Sequence, residues 1–198
     1  GKKWHPWCAR NRQTFHKPLG VIMPQPNKEL LAKALPHVLA APKDGAHVMG
    51  LCVRPDFSQR SFPSEITLCK ANGVIGDRWL HNNWSRLPDG RPDPINQVSI
   101  LSKRVLDLVW HPDENDATHP GDTVIADMDL SLENMPEGQL VKVGSAILRV
   151  SPYFNEGCVK WKTRYGADVK NWIIAPGHAD KRLRGILLSI VQDGTIKL

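Results

Sequence analysis

Cys158 in "GCVKWKTRYG" (157–166) stands immediately ahead of three cations, Lys160, Lys162 and Arg164, with Trp161 and Tyr165 between and beside them. A thiol is weakly acidic, and nearby positive charge favours its thiolate form. If the stretch opens as a helix, Cys158 lies near its N-terminus, where the macrodipole favours an anion. Lys162, at i+4, then falls on the same side. A thiolate so placed could ligate a soft metal, accept a sulfane sulfur or attack an electrophile. The alternative is a small buried side chain, a common fate of free cysteine.

A second group of chemically able residues lies in "GDRWLHNNWSRLPDGRPDP" (76–94), too long and polar for a simple connection and so a candidate functional loop. Asp77 could orient a ligand or accept a proton, although Gly-Asp is also ordinary turn chemistry. His81, the histidine of this loop, is the natural proton donor or replacement ligand, and His178 is a weaker candidate of the same kind. Arg78, Trp79, Asn82, Asn83, Trp84 and Arg86 complete the loop's inventory. The densest basic region gathers Lys160, Lys162, Arg164, Lys170, Lys181, Arg182 and Arg184. Its members could hold a phosphate, which arginine can grip bidentately, or form a solvated positive face. Arg184 directly precedes the apolar run "GILLSIV", so its backbone should be well fixed.

Composition narrows the class. The 198 residues carry a net charge of +6, with 41% hydrophobic and 23% charged residues, which fits a soluble globular chain that favours anionic ligands. Four cysteines, Cys8, Cys52, Cys69 and Cys158, contain no C-x-x-C pair, which argues against a zinc ribbon or a dithiol motif. Reduced thiols in a cytoplasmic setting are expected. There is no apolar run long enough to span a bilayer and no signal-peptide h-region at the N-terminus. No zinc-finger, RNP or basic-zipper pattern is present, so no specific nucleic acid is expected. The chain also lacks a Gly-x-Ser-x-Gly elbow, a Walker loop, H-E-x-x-H and a Rossmann fingerprint, which disfavours serine hydrolysis and nucleotide-driven chemistry.

These residues need elements to position them. Residues 1–44 read as an N-terminal extension: "GKKWHPWCARNRQTFHKP" is basic and aromatic, and a helix capped by Asn27 follows, with Leu30, Leu31, Ala34, Leu35 and Val38 apolar and Pro36 set to kink or shorten it. From Gly45 the pattern becomes short strands at 46–55, 65–71 and 95–101, then a helix from Ser102 with Val105, Leu106 and Val109 on one face. Residues 139–151 read as a hairpin turning at Gly144–Ser145. Residues 184–198 read as a second hairpin, with Asp193–Gly194 as a two-residue turn. Cys52 and Cys69 fall in strand-like segments and should face the core. The expected fold is mainly β, a barrel over residues 45–198 with a few peripheral helices.

The order of these pieces resembles the MOSC domain, the family named after the C-terminal part of molybdenum cofactor sulfurase. "GVIGDRW" (73–79) is similar to the family's G-D-x-H loop, and "NQVSIL" (96–101) to the strand after it. "PGDTVIADMDL" with "MPEGQLVKVGSAILRVS" (120–130 and 135–151) resembles the G-E-N-L segment and its hairpin. "GCVKWKTRYG" with "LRGILLSIVQDGTI" (157–166 and 183–196) resembles the signature cysteine and closing strands. Three positions depart: Trp79 stands where the family has histidine, and Asp122–Thr123 where it has glutamate and asparagine. The resemblance implies a β-barrel with a cleft and a molybdenum cofactor. It implies Cys158 as catalytic residue and metal ligand, with Asp77 and His81 beside it. Arg78, Thr123, Lys160, Lys162, Arg164 and Arg184 are its candidate cofactor-binding residues. It further implies reduction of an N-hydroxylated small molecule, with a redox or sulfur-donor protein as partner. Cofactor-free thiol chemistry, by sulfur transfer from a persulfide or carbon–sulfur cleavage, is the alternative. A non-catalytic carrier of cofactor or sulfur is the third reading.

Overall fold

Period-2 burial builds the strands. In β2 (Glu65–Cys69) Ile66 and Leu68 point inward while Glu65 and Thr67 face water, and in β8 (Ile186–Gln192) Ile186, Leu188 and Ile190 are buried. The structure, a computed structural model, describes residues 25–111 and 116–198. The basic, aromatic stretch at residues 1–18, with Cys8, lies outside the described residues.

The other strands are β1 (Val48–Leu51), β3 (Gly73–Val74), β4 (Val98–Ser102), β5 (Val124–Ala126), β6 (Leu140–Val143), β7 (Ala146–Val150) and β9 (Gly194–Lys197). A six-stranded sheet runs β1-β5-β4-β8-β7-β6, and a three-stranded sheet runs β3-β2-β9. Pairing is antiparallel except between β4 and β5, which run parallel with Ile100 opposite Val124. Both sheets send side chains into one core, where Leu68, Val74 and Ile196 meet Val98, Leu148 and Leu188. The result is the mainly β, curled barrel-like architecture anticipated from the strand pattern.

A helical layer covers the other face of the large sheet. It consists of α1 (Lys28–Leu39), α3 (Lys103–Val109), α4 (Val159–Tyr165) and α5 (Ala167–Ile173), while the one-turn α2 (Trp79–Asn82) sits in the polar loop. Leu31, Val105, Trp161, Val169 and Ile173 form its core with Leu101 and Ile125 from the sheet. Asn27 caps α1, its Oδ1 accepting from Leu30 N at 2.9 Å. α1 carries on through Pro36 to Leu39, and the Pro36 carbonyl still accepts from Ala40 N. The proline therefore leaves the helix at full length, and Leu31 and Val38 are buried against the layer.

Two local expectations need correction. Residues 94–96 form a short 3-10 turn ahead of β4, so that strand begins at Val98. Asp193–Gly194 does not close a hairpin: β8 pairs with β4 and β7, whereas β9 pairs with β2. The chain changes sheets there, and Asp193 Oδ1 accepts from Lys70 N at 2.7 Å across the corner. The hairpin at 139–151 is present, with Val143 opposite Ala146. Its turn needs Gly144, which has φ +59° and lies so close to β9 that a Cβ would sit 2.1 Å from the Thr195 carbonyl oxygen.

Candidate functional site

Five segments meet at one end of the barrel around a cavity of about 390 Å3. They are the turn after β1 carrying Arg54, Phe57 and Arg60; Arg78 and Trp84 of the polar loop; residues 120–122 before β5; the stretch from Tyr153 into α4; and Arg184 before β8.

Cys158 is the N-cap of α4, with extended backbone (φ −85°, ψ 177°), and its carbonyl accepts from Trp161 N at 2.9 Å. The helix expected after the cysteine is thus present. Lys170 of α5 reaches back and donates to the carbonyls of Glu156 (2.6 Å) and Gly157 (2.8 Å), which fixes the chain just before the thiol. Cys158 is exposed, Cys69 half-buried and Cys52 buried. Burial pushes the Cys52 thiol up to about 12, so it stays protonated and inert.

Six cations line the cavity: Arg54, Arg60, Arg78, Lys160, Arg164 and Arg184. Two carboxylates line it with them, Asp122 and Glu156. Asp122, whose side chain is 1% exposed, is already engaged, both oxygens accepting from Arg184 Nη1 at 2.9 and 2.8 Å. The Arg184 guanidinium lies 4.3 Å from the Trp161 ring centroid, a cation–π contact that holds it flat. Burial, with the Arg164, Arg54 and Arg78 charges around it, holds the Arg60 pKa below the usual arginine value. Arg78 is lowered for the same reasons, burial first and the Arg54 charge second. Arg54 goes the other way: despite burial, the Asp77 carboxylate holds its pKa above the usual value. Like charges held this close raise the local potential and favour an anion in the cavity.

His119 underlies this cluster. Its carbonyl accepts from Arg60 Nε (3.3 Å) and from Arg164 Nη1 (3.4 Å), and its Nδ1 accepts from Gly121 N at 3.0 Å. The ring stands edge-on to Trp110 and Phe62. Burial drives its pKa down to about 4, so the imidazole is neutral near pH 7. Gly121, at φ +85°, leaves the space that Arg60 occupies: a Cβ there would lie 2.8 Å from Arg60 Nε.

Of the residues singled out from sequence, Cys158, Arg78, Lys160, Arg164 and Arg184 come together on the cavity wall. Asp77, Thr123, His81 and Lys162 do not line it. The Asp77 carboxylate is buried behind Arg54, accepting from Arg54 N, Nε and Nη2 and from Trp79 N, so it positions that arginine. Thr123 is buried between strands, exchanging hydrogen bonds with Ser99. His81 is exposed, and its carbonyl accepts from Arg86. Lys162 is exposed on the outer face of α4. Trp79, at the family's histidine position, is buried and donates from Nε1 to Asn96 Oδ1 at 2.9 Å. Trp79 thus occupies a packing position in this chain and does not line the cavity. Sequence reading missed Arg54 and Arg60, and the sole signal was two arginines flanking the turn "RPDFSQR" (54–60).

No protein-family model matches the sequence, and no curated protein matches it significantly. Solved structures do. The YUAD protein from Bacillus subtilis superposes with a TM-score of 0.52 at 15% identity, covering 77% of this chain and 91% of its own. A hypothetical protein superposes with a TM-score of 0.50 at 17% identity, covering 77% of this chain and 64% of its own. YiiM from Geobacillus stearothermophilus gives 0.49 at 12%, covering 77% and 71%. At such identities the likeness concerns the fold alone, and it agrees with the mainly β, barrel-like architecture. No helix among the described residues is long and apolar enough to cross a membrane.

Proposed function

We propose that this protein is a MOSC-type enzyme whose reaction centre is the Cys158 sulfur, acting beside an anionic group held in the arginine cleft. One observation carries this reading: the exposed cysteine opens into a cavity where six cations face two carboxylates, one of them already engaged by Arg184. A volume of about 390 Å3 suits a small molecule.

The group implied by the sequence resemblance is the molybdenum cofactor, and the donor set fits it. A thiolate is a soft ligand suited to molybdenum, and the pterin's phosphate calls for guanidinium and ammonium donors. The Arg78 Nε is buried without a hydrogen-bond partner among the described residues, the condition of a donor awaiting an acceptor. Cys158 would hold the metal, and Arg78, Lys160 and Arg164 the phosphate. When bound, the cofactor supplies two-electron redox chemistry suited to reducing an N-hydroxylated substrate. The chain's own contribution is to orient: Asp122 and Trp161 fix Arg184, Asp77 fixes Arg54, and the His119 carbonyl fixes Arg60 and Arg164.

The second reading is cofactor-free persulfide chemistry, favoured by the exposure of Cys158, which a sulfur-donor protein could reach. Protein purified from a molybdenum-replete host separates the two. Molybdenum and pterin in equal amounts, lost in Cys158→Ser while the fold survives, support the cofactor. Cyanide-releasable sulfur lost in the same variant, without molybdenum, supports the persulfide. Absence of both contradicts the Cys158 reaction centre.

A further inference from the structure

The mouth of the Cys158 cavity carries two aromatic rings that the catalytic reading leaves unassigned. Trp84 is 66% exposed and Tyr153 45%, yet the rings touch each other, centroids 5.2 Å apart and planes inclined by 53°. They come from unrelated segments, Trp84 from the loop after α2 and Tyr153 from the stretch between β7 and α4. Both line the cavity that Cys158 lines.

Their backbone is held on both sides. Asn83 donates through Nδ2 to Ser85 O at 2.6 Å and to Asn96 Oδ1 at 3.0 Å, and Asn96 returns a bond to Asn83 Oδ1 at 3.1 Å. This clamps the residues flanking Trp84. On the other segment Tyr153 N donates to Ser151 Oγ at 3.1 Å. A third exposed ring, Phe57, lies beneath the Arg78 guanidinium at 4.4 Å and the Lys160 ammonium at 5.7 Å. The mouth thus sets flat apolar faces next to positive charge that has no salt bridge among the described residues.

An exposed indole and phenol on a fixed backbone can cover a planar ring at little ordering cost, since each has two rotatable side-chain bonds. Stacking rewards a π-face specifically, while a saturated ring of equal size gains from area burial alone. In the cofactor-free reading, where no pterin phosphate engages them, Arg78 and Lys160 would meet an anionic substituent on such a ring.

We propose that Trp84 and Tyr153 form a stacking ledge that selects planar aromatic or heteroaromatic substrates bearing an anionic substituent for the Cys158 cavity. The inference rests on Cys158 being the reaction centre, but its determinants are residues outside that centre.

The test compares two probes matched in charge and size, 2-naphthoate and decahydro-2-naphthoate. Affinity is measured by titration calorimetry on the purified full chain, and each probe's protection of Cys158 from iodoacetamide is followed by mass spectrometry. The wild type should prefer the planar probe about tenfold, in line with one stacked ring. Trp84→Leu and Tyr153→Leu, which keep apolar bulk but remove the π-face, should each cut that preference to within about twofold. Trp84→Phe should keep most of it. Equal affinity for the two probes, or an unchanged preference in Trp84→Leu, overturns the ledge. If both probes bind equally and both protect Cys158, the ledge fails while the cavity reading stands. If the planar probe binds without protecting Cys158, the ring sits elsewhere and the proposal fails. If neither binds, the ledge and the anion-binding cavity fail together.

Discussion

Acid should find this protein's weak point at His119, and the size of the effect can be worked out beforehand. The ring is 3% exposed, Nδ1 already accepts from Gly121 N, and burial holds its pKa near 4. In the unfolded chain a histidine takes up its proton near pH 6.5. Between those two values the unfolded state binds more protons than the folded one, so unfolding free energy rises with pH across that window. Read downward, stability is intact above about pH 6.5 and is lost progressively as pH falls toward 4. The full gap of some 2.5 units corresponds to about 3 kcal/mol, of which about 2.5 kcal/mol is lost by pH 4.5. His119→Gln keeps an acceptor for Gly121 N but cannot titrate. Urea unfolding of both proteins at pH 7.5 and 4.5 isolates the effect, because every other titrating group is common to the pair. The stability difference between them should move by about 2.5 kcal/mol against the wild type on acidification. Parallel pH curves, or a wild type that loses less than the variant, would refute a buried neutral imidazole under the arginine cluster.

Three further substitutions probe the frame around the site. Asp122→Ala leaves Arg184, whose side chain is 14% exposed, without its carboxylate, and should cost about 3 kcal/mol in chemical denaturation; a loss under about 1 kcal/mol would mean the pair is strongly hydrated. Leu31→Ala should cost about 3 kcal/mol, because the side chain is fully buried in the helical layer; a negligible effect would make the segment before Gly45 detachable from the core. Gly144→Ala combines a positive φ with a Cβ 2.1 Å from the Thr195 carbonyl oxygen, and should destabilise by about 2 kcal/mol or more, read as a lowered Tm.

What the sequence revealed depended on how local the signal was. Alternation along 65–69 and 186–192 and the Gly144 turn are written within a few residues, and the strands appear where those patterns lie. The Asp193–Gly194 corner uses the same residue pair as a hairpin, but the outcome is set by which distant strands are free to pair, β2 on one side and β7 on the other. The site divides in the same way. Lys160 and Arg164 were legible because they closely follow the cysteine in sequence, and Arg184 because it directly precedes the apolar run of β8. Arg54 and Arg60 enter through the fold alone, since the turn after β1 happens to fold over the 120–122 segment. Charge on a side chain also says nothing of its direction: Lys162 and His81 carry suitable groups but face away, and Asp77 spends its carboxylate on Arg54.

The central claim, an accessible thiol inside a cation-lined cavity, is tested most directly by the ratio of two alkylation rates at Cys158. Iodoacetate and iodoacetamide both need the thiolate, so their ratio cancels the thiol's ionisation and reads the local potential. Relative to glutathione, the iodoacetate-to-iodoacetamide ratio at Cys158 should be raised about tenfold at low salt. It should fall in 0.5 M salt and again in Arg78→Gln. A ratio equal to that of glutathione, or one that ignores both salt and Arg78, would contradict it.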